Sequence, residues 1–241
     1  LPRTAQTSSR DNKPDWPLFF ADQAQAVTDE RLQHFYAAGA VAGTTPLTDV
    51  PFVALDFETT GLDPQQNSIV SVGLVPFDLQ RIHCTQSRHW IVRPRHPLKA
   101  DSVVIHGITH SDISDVPDLR SILDEFLAAL AGRIAVVHYR AIERQFLHSA
   151  LMTRLGEGIE FPVVDTMELE ARLHRKPPNL WNRLRGHRPA SIRLADSRNR
   201  YGLPHYPPHS ALTDALATAE LLQAQIAYHF TPNTPIKQLW L

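Results

Sequence analysis

The spacing of apolar and polar positions divides the chain into three regimes. From Leu18 to Gly43 apolar residues recur at helical spacing through Phe35 and Ala38. That predicts one amphipathic helix over about residues 19–40, with an apolar face that something must cover. The polar residues before it predict a disordered start. Pro46 breaks the pattern, and three short β-branched and aromatic runs follow, at 51–57, 68–78 and 83–94. With a tight turn around Asp78 to Arg81, these predict a three-stranded antiparallel meander, with Cys84 packed in its third strand. From residue 118 the period alternates: helix 118–132 stopped by Gly132, strand 133–138, helix 141–156, strand 161–166 and helix 167–174. Residues 174–190 have no period and are rich in Pro and Arg, after which helices return at 191–202 and 211–230. Strands that pair antiparallel first and are then crossed over by helices predict an α/β fold. Its sheet is a mixed five-stranded one, three antiparallel strands then two parallel, flanked by helices. The expected organisation is an N-terminal extension (1–49), a main domain (50–231) and a tail (232–241).

Composition narrows the class without naming it. The 241 residues are 43% hydrophobic and 20% charged, enough for one sizeable core. Twenty-four Lys and Arg against 25 Asp and Glu leave a formal charge of -1, so any nucleic-acid partner has to be held by local patches. One cysteine excludes an internal disulfide and suits a reducing, cytoplasmic setting. No apolar run is long enough to span a bilayer, the polar start lacks an apolar signal core, and the opening Leu1 suggests a processed or cloned remnant.

The chemistry concentrates at "VALDFETTGLDP", residues 53–64. Side chains alternate along a strand, so Asp56 and Glu58 share one face while Leu55 and Phe57 take the other. Two anions this close call for a cation, and hard carboxylate oxygens select Mg²⁺ or Mn²⁺; a solvated strand end is the plain alternative. Near the far end of the chain, Pro207-Pro208 blocks a helix, Ser210 can cap the next one, and Asp214 falls after its first turn with His209 just outside. Asp165 ends a strand and reads as the N-cap of the helix at 167–174.

"DFETTGL" resembles the first motif of the DEDDh class of 3′-to-5′ exonucleases, which have a ribonuclease-H-like fold. "HGIT" at 106–109, "VVHYRAIERQFL" at 136–147, "VVDT" at 163–166 and "HSALTDA" at 209–215 resemble the class's later segments in order, so the similarity runs from about residue 52 to 230. The second-motif Asp of the class falls on Glu143 here and its Asn on Tyr139. The resemblance implies hydrolysis of single-stranded nucleic acid from its 3′ end to nucleoside 5′-monophosphates, with DNA favoured. It implies two divalent cations, Mg²⁺ or Mn²⁺, held by Asp56, Glu58, Asp214 and Glu143, and His209 as general base. Histidine suits that role because it exchanges a proton near neutral pH. Thr59, Thr60 and Leu62 are placed to meet the terminal nucleotide, and His106, His138 and Tyr139 to line the pocket. Between Ala171 and Ala195 the chain carries no acidic residue. Arg183 and Arg185, with Trp181 nearby, are candidates to hold strand phosphates, although a solvated loop has the same composition. Gln238 to Leu241 faintly resembles a sliding-clamp peptide, with a tail packed on the domain as the stronger expectation. An exoribonuclease of the same fold and a non-catalytic nucleic-acid-binding module are the competing readings.

Overall fold

The computed structural model describes residues 14–98, 100–175 and 189–241, without the side chains of Ala100 and Ile105. Its centre is strand β1 (Phe52–Thr59), whose apolar run is covered on both faces. Strand β2 (Ile69–Phe77) pairs antiparallel with β1, and β3 (Arg88–Ile91) antiparallel with β2. On the other side of β1, β4 (Ile134–Val137) and then β5 (Val163–Asp165) add in parallel, giving the order β3-β2-β1-β4-β5. This is the predicted mixed sheet, and the crossovers run through helices α4 (Leu119–Leu130) and α5 (Arg140–Leu155). Helices α6 (Thr166–His174), α7 (Leu194–Arg200) and α8 (Ala211–His229) complete the C-terminal half.

Strand parity decides what each face meets. Phe57 turns toward α4, its ring 6.4 Å from Phe126. Asp56 and Glu58 share the opposite face with their partners on β2, Gly73 and Ser71 respectively. Helix α8 packs across β1 and β2 on that face. It comes so close at Gly73 that a Cβ there would lie 2.1 Å from the Ala211 carbonyl oxygen. Glycine at this position lets a helix N-terminus lie directly on a strand backbone.

Three expectations need correction. The single N-terminal helix is two, α1 (Trp16–Ala26) and α2 (Glu30–Ala37). The chain breaks at Val27–Asp29 because Asp29 caps α2 through the Arg31 N–H, while the Thr28 and Asp29 N–H groups donate to Glu157. Cys84 is exposed in a 3-10 turn, since β2 and β3 are joined by the Asp78–Arg81 turn and then by that turn. A short helix, α3 (Ala100–His106), precedes the "HGIT" segment where no element was expected. The tail is packed on the domain, the stronger of the two expectations for it: Leu239 and Trp240 are buried, and Leu241 exchanges backbone hydrogen bonds with Val163, covering the open edge of β5. Trp16, Phe20, Leu32, Phe35, Ile236 and Trp240 join the same core as β1, so both terminal segments are built into the domain. Lys176, Trp181, Arg183, Arg185 and Arg188 lie outside the described residues. No helix among the described residues is long and apolar enough to cross a membrane.

Candidate active site

The N-terminal turn of α8, seated on Gly73, brings Asp214 to the C-terminal half of β1. Carboxylate oxygens of Asp56, Glu58 and Asp214 all lie within 4.8 Å of one another. Burial is the largest influence on all three and raises each above its ordinary value, Glu58 to about 7. Asp56, well above its usual range, also feels Glu143, Glu58 and Asp214, in that order of strength. Glu143 therefore faces the cluster from α5. It is 2% exposed, burial raises it strongly with Asp165 adding to the effect, and its Oε2 has no hydrogen-bond donor. Three carboxylates held this close, with the buried, unpartnered oxygen of Glu143 felt by one of them, form a donor set suited to hard divalent cations.

His209 stands at the rim, exposed, in the left-handed region with φ +69. Its backbone N–H donates to Asp214 Oδ2 at 2.8 Å. Ser210 occupies the N-cap position of α8 without the side-chain cap bond expected of it; its hydroxyl accepts from that of Thr213 at 3.3 Å. His106, at the end of α3, lies close enough to His209 to feel its charge, and burial lowers its own proton affinity first. Its Nδ1 accepts from the Ile108 N–H, and the buried Nε2 has no partner.

The other predicted residues divide. Leu62, 82% exposed, stands free on the loop after β1. Thr59 donates to the Gly61 carbonyl at 2.7 Å. Thr60 is fully buried, and its hydroxyl accepts from the Ser68 N–H and reaches Asn67. Its side chain closes the loop and does not face a substrate, so only its backbone remains near the cleft. Tyr139 is half exposed at φ +96, its N–H and that of Arg140 donating to Asp165. Asp165 also caps α6, as the sequence implied. His138 is engaged at both ring nitrogens. Nε2 meets the Ile192 carbonyl oxygen at 3.0 Å and Nδ1 the Thr166 hydroxyl at 2.8 Å, and burial holds its proton affinity down to about 4. Arg183 and Arg185 are not among the described residues. Gly73 was missed; its only signal was a glycine inside a strand pattern.

Comparison with known proteins agrees with this constellation. Residues 53–222, which contain every carboxylate of the cluster, match the family model RNase_T, described as an exonuclease. The chain belongs to this exonuclease family. It is 32% identical over 173 residues to the PolC-type DNA polymerase III of Thermotoga maritima, covering 72% of this chain and 12% of that one. It therefore spans only a small part of that relative. The DNA polymerase III subunit epsilon of Treponema pallidum is 27% identical over 184 residues, 76% of this chain and 80% of the relative. Among solved structures, the nuclease domain of 3′hExo, a DEDDh family member bound to rAMP, superposes with a TM-score of 0.60. It is 15% identical over 74% of this chain and 92% of that one. The family model thus gives the chain an exonuclease domain, and the superposition gives it the fold of a DEDDh nuclease, in which the carboxylate cluster is compatible with divalent metal. The binding-module reading gives way to an enzyme.

Proposed function

We propose that this exonuclease removes nucleotides from single-stranded 3′ ends, DNA in preference to RNA, releasing nucleoside 5′-monophosphates. The supporting observation is the cluster of Asp56, Glu58 and Asp214 within 4.8 Å, with Glu143 facing it and exposed His209 beside it. Two divalent cations, Mg²⁺ or Mn²⁺, held by these four carboxylates would neutralise charge on the phosphoryl oxygens and make water a nucleophile near neutral pH. His209, outside α8 and tethered by its N–H to Asp214, accepts the proton of the attacking water. His106, close enough to feel the charge of His209, lines the pocket. Leu62 and the half-exposed Tyr139 ring offer apolar and stacking surface to the terminal bases. Thr59 and the backbone of Thr60 border the 3′ hydroxyl. Arg183 and Arg185 are assigned to strand phosphates from their sequence context alone. Contacts of this kind tolerate any base, so sequence preference is expected to be weak.

The test uses matched DNA and RNA oligonucleotides labelled at either end. The expected result is mononucleotide release from 3′ ends, faster on DNA, abolished by chelator and by Asp214→Ala. Endonucleolytic fragments, or activity surviving chelation, would overturn the proposal. The neighbour bound to rAMP keeps the exoribonuclease reading in view. Faster release from RNA would establish it.

A further inference from the structure

The loop that carries His209 has little backbone structure of its own. Between α7 and α8, residues 204, 207 and 208 are proline and have no N–H to donate. Among the described residues, backbone bonds tie Tyr201, Gly202 and Leu203 back to α7, and the next N–H tie is that of His209 to Asp214. The intervening stretch is gripped by one side chain. Arg198, 3% exposed on α7, donates from Nη2 to the Pro204 carbonyl at 2.8 Å and to Glu220 Oε2 at 2.7 Å. Its Nη1 donates to the Ala217 carbonyl of α8 at 2.6 Å. The Tyr206 ring covers the guanidinium at 4.6 Å, and the Tyr206 hydroxyl donates to Glu220 Oε1 at 2.9 Å. Arg198, Tyr206, Pro208 and Asp214 line one small cavity, so the grip lies next to the carboxylate cluster.

We propose that Arg198 is a positioning residue for the reaction. With Tyr206 and Glu220 it clamps the proline-rich loop to α8 one turn beyond Asp214, and so fixes where His209 stands relative to the reacting phosphate. A planar guanidinium is needed because it serves three acceptors and a ring face at once, which a lysine ammonium does not. The proposal rests on the role given above to His209.

The test compares Arg198→Lys, and Tyr206→Phe as the milder variant that keeps the ring, in wild-type and His209→Ala backgrounds. In metal-free protein, amide exchange at Leu203 and His209, the hydrogen-bonded N–H groups at the two ends of the loop, is expected to quicken about tenfold in Arg198→Lys while β1 and β2 stay protected. With Mn²⁺, kcat is expected to fall about a hundredfold in Arg198→Lys with KM little changed, the effect of a small misplacement of a catalytic group. Tyr206→Phe is expected to move both readouts in the same direction by less. In the His209→Ala background neither variant should lower kcat further, because residues acting through one group are not additive. Equal losses in both backgrounds, or unchanged exchange, would overturn the positioning role and leave the histidine base standing. Wild-type kcat in His209→Ala alone would overturn the base itself, and the positioning role with it.

Discussion

Adding one methyl group at Gly73 tests whether the seat of α8 sets the catalytic geometry. A Cβ at that position would stand 2.1 Å from the Ala211 oxygen, 2.2 Å from its carbonyl carbon and 2.4 Å from the Leu212 nitrogen. All three are backbone atoms in the first turn of α8, so no side chain can rotate away. Restoring an ordinary contact requires the helix start to retreat by about 1 Å. Asp214 rides on that turn, and its carboxylate shares a cluster only 4.8 Å across with Asp56 and Glu58. Gly73→Ala should therefore cost about 1–3 kcal/mol of stability as an overpacked contact. It should also lower kcat about a hundredfold, since a shift of this size in a reacting constellation has that order of effect. Urea denaturation gives the first quantity and steady-state release of a labelled 3′ nucleotide the second. Wild-type kcat in a folded Gly73→Ala protein would refute the reasoning, because Asp214 would then be placed by something other than this contact. Loss of stability without loss of turnover would do the same.

Other predictions follow from the same structure. Without metal, burial and then Asp214 hold Glu58 up to about 7, above its ordinary 4.5. A raised carboxyl stabilises the fold while protonated, so melting in chelator should show stability falling as pH climbs from 4.5 through about 7, by about 3 kcal/mol for this group. Glu58→Gln should flatten that slope, and a slope unchanged by the substitution would count against the assignment. Trp240→Ala removes a 4%-exposed ring from the core beside β5 and should cost about 3 kcal/mol, read by denaturant midpoint; a midpoint equal to wild type would show that the tail is dispensable. Leu62→Ala touches a side chain 82% exposed and should leave melting unchanged within about 0.5 kcal/mol. Its release of nucleotides from paired ends should slow more than from single strands, and equal slowing on both would remove Leu62 from the terminal pair.

The parts of this molecule that were legible in the sequence are those governed by neighbours along the chain. Strand parity put Asp56 and Glu58 on one face, and the proline pair with Ser210 marked where α8 begins. Asp165 as the cap of α6 needed only the next three residues. What escaped depends on partners far away. The break between α1 and α2 is held by Glu157, 129 positions from Thr28. One ring nitrogen of His138 is taken by a carbonyl 54 positions on, at Ile192. Thr60 looked available for a ligand because nothing local shows that Ser68 takes its hydroxyl. The motif at His209–Asp214 was readable, but the grip of Arg198 on its loop comes from a different helix and left no periodic trace.

Among the described residues only Tyr139 and His209 combine a side chain with a left-handed backbone; His209 is tied by its N–H to Asp214 of the cluster, and Tyr139 caps the start of α5, the helix that carries Glu143. Each such conformation is held against a local preference worth about 1 kcal/mol or more. Glycine at either site would relax the chain, and a search for thermostable variants would be drawn to both positions. Each gain found there would come at the expense of turnover. The catalytic rim is thus where this fold forgoes robustness, and an engineer seeking a hardier enzyme should leave these two residues alone and look to the far side of the sheet.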